Sequence, residues 1–139
     1  MKLSHLLTCA LLACVASSLA FADGIVVIAN KANANPIDKA LVAKIYMGES
    51  RTWAAGGSIV AYDLPEDNLL REDFDGAIVG KSETSLKALW SQNVFSGKAL
   101  PPKTAASDDE VKKAVAANKN AIGYIQSRNV DDSVKVVLR

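Results

Sequence analysis

A change in the spacing of apolar residues near the start of the chain restricts the fold more than any other feature. Residues 24–29 form a short, almost continuous apolar run rich in β-branched side chains, which is typical of a strand buried on both faces. After Pro36 the spacing becomes helical, because Ile37, Leu41 and Ile45 recur every four residues and Gly48 is placed to end the helix. A buried strand followed by an amphipathic helix indicates a layered α/β architecture.

The same alternation continues along the rest of the chain. Residues 58–62 predict a second strand, which Pro65 closes, and residues 121–125 and 133–138 predict two final strands. Three helical stripes lie between them. The N-caps predicted for these helices are Asp67 or Asn68, Ser82, and Ser107. The predicted order is β-α-β-α-α-α-β-β, an α/β fold whose strand order the pattern leaves open.

The N-terminus has the features of a secretory signal peptide over residues 1–22. Lys2 precedes an apolar run, and Ala20, Phe21 and Ala22 form a small-x-small cleavage site. The competing interpretation is a lipobox at residues 11–14, in which Cys14 would carry a lipid, but the apolar run before it is short. Both interpretations predict export, with a periplasmic location favoured, and a single domain over residues 23–139.

Removal of this leader would leave a chain with little reactive chemistry. Cys9, Cys14 and His5 all precede residue 23, so the predicted mature protein contains no cysteine and no histidine. Disulfides, zinc sites of the Cys/His type and nucleophiles paired with histidine are thereby excluded. We therefore expect no enzyme, no metal and no cofactor. The 16 basic and 15 acidic residues nearly balance, which predicts no nucleic-acid partner.

One acidic segment surrounds Arg71. Its six acids are Asp63, Glu66, Asp67, Glu72, Asp73 and Asp75. The favoured interpretation is that acids complement the dipole at a helix N-terminus and cover a solvated face. An enzymatic site would instead need two of these carboxylates to converge in a cleft with separated pKa values.

Two tryptophans lie in different settings. Trp53 follows Ser50 and Arg51 in a polar loop flanked by glycines, where it would form a partner surface with them or cover the edge of the core. Trp90 shares an apolar stripe with Leu86 and Val94, which predicts that Trp90 packs in the core.

Several short motifs, in this order, resemble those of the phosphate-type periplasmic substrate-binding proteins of ABC transporters. The resemblance extends over nearly the whole of residues 25–138. The motifs are Ile-Tyr-Met-Gly at 45–48, Trp53 with Gly57, Arg-Glu-Asp-Phe at 71–74, Phe-Ser-Gly-Lys at 95–98 with the two prolines at 101–102, and Ala-Ile-Gly-Tyr-Ile at 121–125. The resemblance implies a type II periplasmic-binding-protein fold, of which this chain has the length of one lobe, with a mixed sheet flanked by helices.

The resemblance also implies an anion site. Members of the family hold phosphate between two lobes, and the second lobe offers a Ser-Gly-Thr-Arg motif at a helix N-terminus. The positions that match this motif here are Asn68, Leu69, Leu70 and Arg71. Only the arginine is retained, with Asn68 in place of the serine, and Asp63 and Leu64 stand where the family carries another arginine. The implied ligand is phosphate or another small oxyanion, bound weakly or with the help of a second copy or another protein.

Two functions follow from these observations. The first, which the resemblance favours, is a solute-binding-type protein that binds a small oxyanion, alone or as a homodimer, and serves a transporter or a sensor. The second is an interaction or sensory module that kept the lobe fold and lost phosphate binding, with a membrane transporter or sensor protein as its partner.

Overall fold

The computed structural model describes residues 24–139, which form a five-stranded mixed sheet covered by helices. The predicted signal peptide at residues 1–22 and the lipobox Cys14 lie outside the described residues. The strands are β1 (Ile25–Ala29), β2 (Val60–Asp63), β3 (Lys103–Thr104), β4 (Ala121–Gln126) and β5 (Lys135–Leu138). The helices are α1 (Lys39–Tyr46), α2 (Leu69–Phe74), α3 (Glu83–Phe95) and α4 (Asp108–Ala117), with a π-helical segment (Asp75–Val79) that continues α2 and a 3₁₀ turn (Ser127–Asn129) after β4.

The strand order in the sheet is β3-β2-β4-β1-β5. Strand β2 runs parallel to both β3 and β4, whereas β1 runs antiparallel to β4 and β5. The carboxyl ends of β2 and β3 therefore meet at one edge of the sheet, which is the position where open α/β sheets generally bind ligands. The predicted α/β class and the mixed sheet are confirmed.

Strand β4 lies at the centre of the core. Its first five residues are buried, because helix α4 packs directly on it. Gly123 allows this close approach: a Cβ atom there would lie 2.5 Å from Cγ1 of Val111. The largest fully buried side chains of the core are Tyr124, Phe74, Ile28, Leu64, Ile122 and Ile125.

The helices begin where polar side chains cap them. Asn68, Ser82 and Ser107 each accept a hydrogen bond from a backbone N–H in the first turn, at 2.9, 3.2 and 3.3 Å. These three predicted caps are confirmed. Asp38 caps α1 in the same way, through a 2.8 Å bond from the Leu41 N–H. Each such cap satisfies a donor that would otherwise lack a partner.

Two expectations were wrong. The two-residue strand β3 was not predicted, because an edge strand this short has no alternating pattern to detect. The apolar stripe of α3 is also only partly buried: Leu86 packs in the core, but Trp90 is half-buried and Val94 is 48% exposed. The Trp90 indole instead donates a hydrogen bond to the Tyr46 carbonyl at 3.1 Å. The last turn of α3 therefore presents its apolar side chains to solvent.

Candidate functional site

A buried carboxylate ends strand β2, at the edge of the sheet where the carboxyl ends of β2 and β3 meet. Asp63 accepts a 2.9 Å hydrogen bond from the Leu64 backbone N–H, and the Tyr124 hydroxyl donates a second one to the same oxygen. Tyr124 is itself fully buried in β4. The Asp63 carboxylate is thus held from two sides and has a fixed orientation.

Arg71 joins this carboxylate to a second one. Its Nε atom lies 3.6 Å from Oδ2 of Asp63 and 3.9 Å from Oδ2 of Asp75, while its Nη1 atom donates a 2.9 Å hydrogen bond to the Leu64 carbonyl. Asp75 is one turn beyond Arg71 and is only 4% exposed. We call Asp63, Arg71, Asp75 and Tyr124 the carboxylate cluster.

The π-helical segment positions Asp75. The Asp75 carbonyl accepts hydrogen bonds from the backbone N–H groups of Gly80, at 2.8 Å, and Lys81, at 3.1 Å. Gly80 can end the helix in this way because its φ of 77° is in the left-handed region, which glycine adopts without steric cost. A single wide turn of this kind is frequent at functional sites.

An aromatic group supports the cluster from the side of the core. The rings of Phe74 and Tyr124 are stacked with centroids 3.8 Å apart, and Tyr46 meets Phe74 edge-on at 4.7 Å. The Tyr46 hydroxyl donates a 2.6 Å hydrogen bond to the Tyr62 carbonyl. The three rings exclude water from one side of the carboxylates.

Burial changes the ionisation of the cluster. It raises the pKa of Asp75 from 3.8 to about 7, with the negative charges of Asp63 and Glu83 acting in the same direction and Arg71 opposing them. Burial also raises the pKa of Asp63, although the Tyr124 hydrogen bond and Arg71 lower it in part. The pKa of the Tyr124 hydroxyl is raised by burial and by the adjacent Asp63 charge, so it remains a donor. Desolvation is thus the dominant influence on both carboxylates.

Asp63, Arg71 and Asp75, three members of the carboxylate cluster, form the floor of a groove of about 860 Å³. Thr104, the last residue of β3, also lines it, so the groove lies at the carboxyl ends of two parallel strands. Glu66, Glu83 and Lys87 are the charged residues at its sides. Its apolar walls are Leu86, Trp90, Val94, Phe95, Pro101 and Pro102. A volume of this size is typical of ligand sites.

The four consecutive residues that match the anion motif have different environments in the structure. The Asn68 side chain accepts the Leu70 N–H as a helix cap, and Leu69 is 76% exposed and outside the groove. Leu70 packs partly against the core. The Arg71 guanidinium is directed toward Asp63 and Asp75, so its charge is already paired. Of the four, Arg71 alone lines the groove.

The loop with the other predicted surface residues distinguishes the two alternatives for its tryptophan. Trp53 is 4% exposed, and its indole donates a 3.0 Å hydrogen bond to the Asn120 carbonyl, because the ring covers the edge of the core. The core-edge alternative for Trp53 is therefore the one observed. Arg51 is exposed and donates a hydrogen bond to the Lys98 carbonyl. Ser50 and Arg51 line a separate cavity of about 650 Å³.

The interpretation of the acidic segment as a solvated face was wrong for two of its members. Asp63 and Asp75 are buried, and both carboxylates lie within 4 Å of the same guanidinium nitrogen. The four other acids, Glu66, Asp67, Glu72 and Asp73, are exposed as expected. The spacing of Arg71 and Asp75, four residues apart on a helix, was the sequence signal for the pair.

Metal-binding and membrane-spanning features are both absent from the part of the chain that the structure describes. Within residues 24–139, no group of three or more acidic, histidine or cysteine side chains is arranged to hold a metal ion. None of the helices there has the length and apolarity that a membrane-spanning helix requires.

Comparison with known proteins rests on structure. No protein-family profile and no curated sequence matches the chain. An ABC-type phosphate transport receptor from Vibrio cholerae is similar with a TM-score of 0.65 and 21% identity, over 83% of this chain and 45% of its own. A phosphate ABC transporter substrate-binding protein from Clostridium perfringens, solved with bound phosphate, gives a TM-score of 0.67 and 28% identity over 83% and 44%.

A third similar structure, PstS from Borrelia burgdorferi, has a TM-score of 0.63 at 15% identity and is covered over 47% of its length. The chain thus spans under half the length of the solved proteins that it matches. Over that part, it has the fold of a single lobe of the substrate-binding proteins of phosphate ABC transporters.

Proposed function

We propose that this chain is an exported, non-catalytic binding module, in which a single substrate-binding lobe recognises a protein partner through the groove above the carboxylate cluster. The observation that carries the proposal is the pairing of Arg71 with Asp63 and Asp75. Arg71 is the cation that the phosphate-type motif would offer to an anion. Here its charge is already neutralised by two carboxylates.

Electrostatics oppose phosphate at this place. A phosphate in the groove would face Asp63, Asp75, Glu66 and Glu83, all of which repel it when they are ionised. The backbone N–H groups in the first turn of α2 do little to offset this repulsion. The Asn68 side chain already accepts a hydrogen bond from one of them. A desolvated phosphate needs many donors to replace its water. We therefore favour the interaction module over the oxyanion-binding protein.

Export and the absence of catalysis are part of the same proposal. The leader-like residues 1–22 support export to the periplasm, where substrate-binding proteins of this fold would meet a transporter or a sensor. Residues 23–139 contain no histidine or cysteine, and both carboxylates are engaged with Arg71. Binding without a chemical step is the simplest use of such a surface.

The first experiment measures phosphate binding by isothermal calorimetry on residues 23–139. We expect no saturable heat up to millimolar phosphate and no rise in melting temperature, since any ligand that binds only the folded state must stabilise it. Saturable phosphate binding that is lost in Arg71→Met would overturn the proposal and restore the oxyanion function.

The second experiment tests for the partner by photocrosslinking in intact cells. A photoreactive phenylalanine analogue is placed at Phe95, in the groove wall, or at Leu69, which is equally apolar and exposed but outside the groove. We expect a discrete adduct with a transporter or sensor protein from Phe95 only. Equal adducts from both positions, or an adduct only with a second copy of the chain, would contradict the proposal.

A further inference from the structure

The groove has a chemistry that specifies what part of a partner would fit it. We propose that it binds a protein segment in which a lysine or arginine side chain is flanked by large apolar side chains, the cation reaching Asp75 and the apolar groups lying on the walls. This inference rests on the proposed function and adds the chemistry of the partner to it.

The charges of the groove favour a cation. Its lining contains four acids, Asp63, Glu66, Asp75 and Glu83, and only two bases, Arg71 and Lys87. Lys87 is paired with Glu66 at 3.1 Å, at the exposed side of the groove. Arg71 alone serves the two carboxylates of the floor. The groove therefore has an excess of negative charge, which a basic side chain of a partner would complement.

Asp75 is the group with the least internal support. It is only 4% exposed, yet its carboxylate accepts no hydrogen bond from any of residues 24–139, and its one ion pair, with Arg71, is long at 3.9 Å. Asp63, by contrast, accepts two hydrogen bonds at one oxygen. Asp75 lines the groove, so a lysine or arginine that entered it would supply N–H groups to this carboxylate.

The apolar walls of the groove favour a ligand that carries apolar groups beside this cation. Phe95 lines the groove and is 96% exposed, and Val94 beside it is half-exposed. Leu86, Trp90 and the two prolines complete a surface that water solvates poorly. A metal ion or a simple amine would leave this surface uncovered. A peptide segment with apolar residues beside its cation would cover both parts of the groove, which is how aromatic anchors act at interfaces.

The test compares short labelled peptides by fluorescence anisotropy. The probe is acetyl-Leu-Lys-Phe-Leu-amide, and the matched control replaces the lysine by norleucine, which keeps the apolar length and removes the charge. We expect the lysine peptide to bind about tenfold more tightly or better, the effect of one charge-assisted hydrogen bond. Equal binding of the two peptides would overturn the role of the cation.

Two variants, each with a matched control variant, assign the contacts. Asp75→Asn should abolish the preference for lysine, whereas Asp132→Asn, an exposed acid outside the groove, should leave it unchanged. Phe95→Ser should weaken both peptides, and Leu69→Ser neither. An unchanged preference in Asp75→Asn contradicts the proposed site. Binding of 2-phenylethylamine as tight as that of the peptide would contradict the protein segment, because it would show a small organic cation to be sufficient.

Failure of this inference and failure of the proposed function can be told apart. If Phe95 crosslinks to a transporter or sensor protein but the lysine peptide has no advantage, the chemistry of the segment is wrong and the interaction module stands. If phosphate binds and neither peptide does, both are wrong.

Discussion

The groove reverses the usual placement of charged and apolar side chains. Its floor consists of Asp63, Arg71 and Asp75, and its rim is the exposed part of the wall at Val94 and Phe95. The floor holds two carboxylates and a guanidinium that are largely removed from water, while the rim exposes Phe95 and Val94. Burial of charge costs stability unless it is paired, and exposed apolar surface contributes nothing to folding. The comparison suggests that the floor is held by internal pairing and that the rim is maintained for a contact outside the chain.

The pairing in the floor is unequal. Asp63 is fixed by Tyr124 and by the backbone of Leu64, whereas Asp75 relies on a long ion pair. The folded state therefore tolerates one well-supported and one poorly supported carboxylate around a single arginine. Three predictions test this contrast between a floor that determines stability and a rim that does not.

Replacement of the arginine should have the largest effect. Arg71→Met keeps much of the side-chain volume but leaves Asp63 and Asp75 without a cation, and removal of one partner from a buried ion pair typically costs about 3–5 kcal/mol. We expect a loss of free energy of unfolding near the lower end of this range at pH 8, because Arg71 is partly exposed. Urea denaturation followed by circular dichroism measures it.

Lys87→Met is the matched control for this prediction. It breaks the exposed ion pair with Glu66, also in the groove, and should cost no more than about 1 kcal/mol. If Arg71→Met were as mild as Lys87→Met, the floor would not depend on internal pairing and the contrast with the rim would fail.

The second prediction concerns pH. The pKa of Asp75 is raised from 3.8 to about 7 in the folded protein, so the unfolded chain releases this proton first as the pH rises. The contribution of Asp75 to stability is therefore fully present below about pH 4 and is lost progressively up to about pH 7. We expect Asp75→Asn to match the wild type near pH 4 and to be more stable at pH 8 by about 2–4 kcal/mol, since one pKa unit is worth about 1.4 kcal/mol.

The measurement is the difference in unfolding free energy between wild type and Asp75→Asn from pH 4 to pH 8. Taking the difference cancels the contributions of titrating groups that do not contact Asp75. One of these is Asp131, whose pKa is lowered by its bonds to Ser133 and Lys112. Its contribution to stability therefore has the opposite dependence on pH. A difference that stays constant with pH would show that the Asp75 carboxylate is well solvated, contrary to the structure.

The sequence was sufficient for the fold class and for the starts of three helices, but not for the strand order or for β3, because the signals that it carries are local. The apolar run of β1 and the caps Asn68, Ser82 and Ser107 all act through neighbouring residues, and each lies in the structure where it was predicted. The likeness to phosphate-type substrate-binding proteins depended on motifs spread in order along such elements.

The candidate site was not predictable in the same way, since its geometry depends on contacts distant in sequence. Tyr124 reaches Asp63 across 61 positions, so nothing in the acidic segment indicated that this carboxylate is buried. The direction of Arg71, toward the floor and not toward the start of α2, is likewise set by where Asp63 and Asp75 lie. The match of Arg71 to the motif therefore identified this residue as part of the site, but not the groups that its guanidinium contacts.

The smallest expected effect on stability is at the rim. Phe95→Ser should change the free energy of unfolding by no more than about 0.5 kcal/mol, because a side chain that is 96% exposed loses almost no contacts when it is truncated. Leu86→Ser, on the buried side of the same helix, is the internal contrast and should cost several times more, since it leaves a polar group in the core. Thermal and urea denaturation of both variants measure the difference.

A loss above 1 kcal/mol in Phe95→Ser would mean that the ring packs against the chain in solution, and the rim would then contribute to folding as the floor does. A neutral result is what the proposed contact with another molecule requires, since it leaves the exposed aromatic ring free of contacts within the chain.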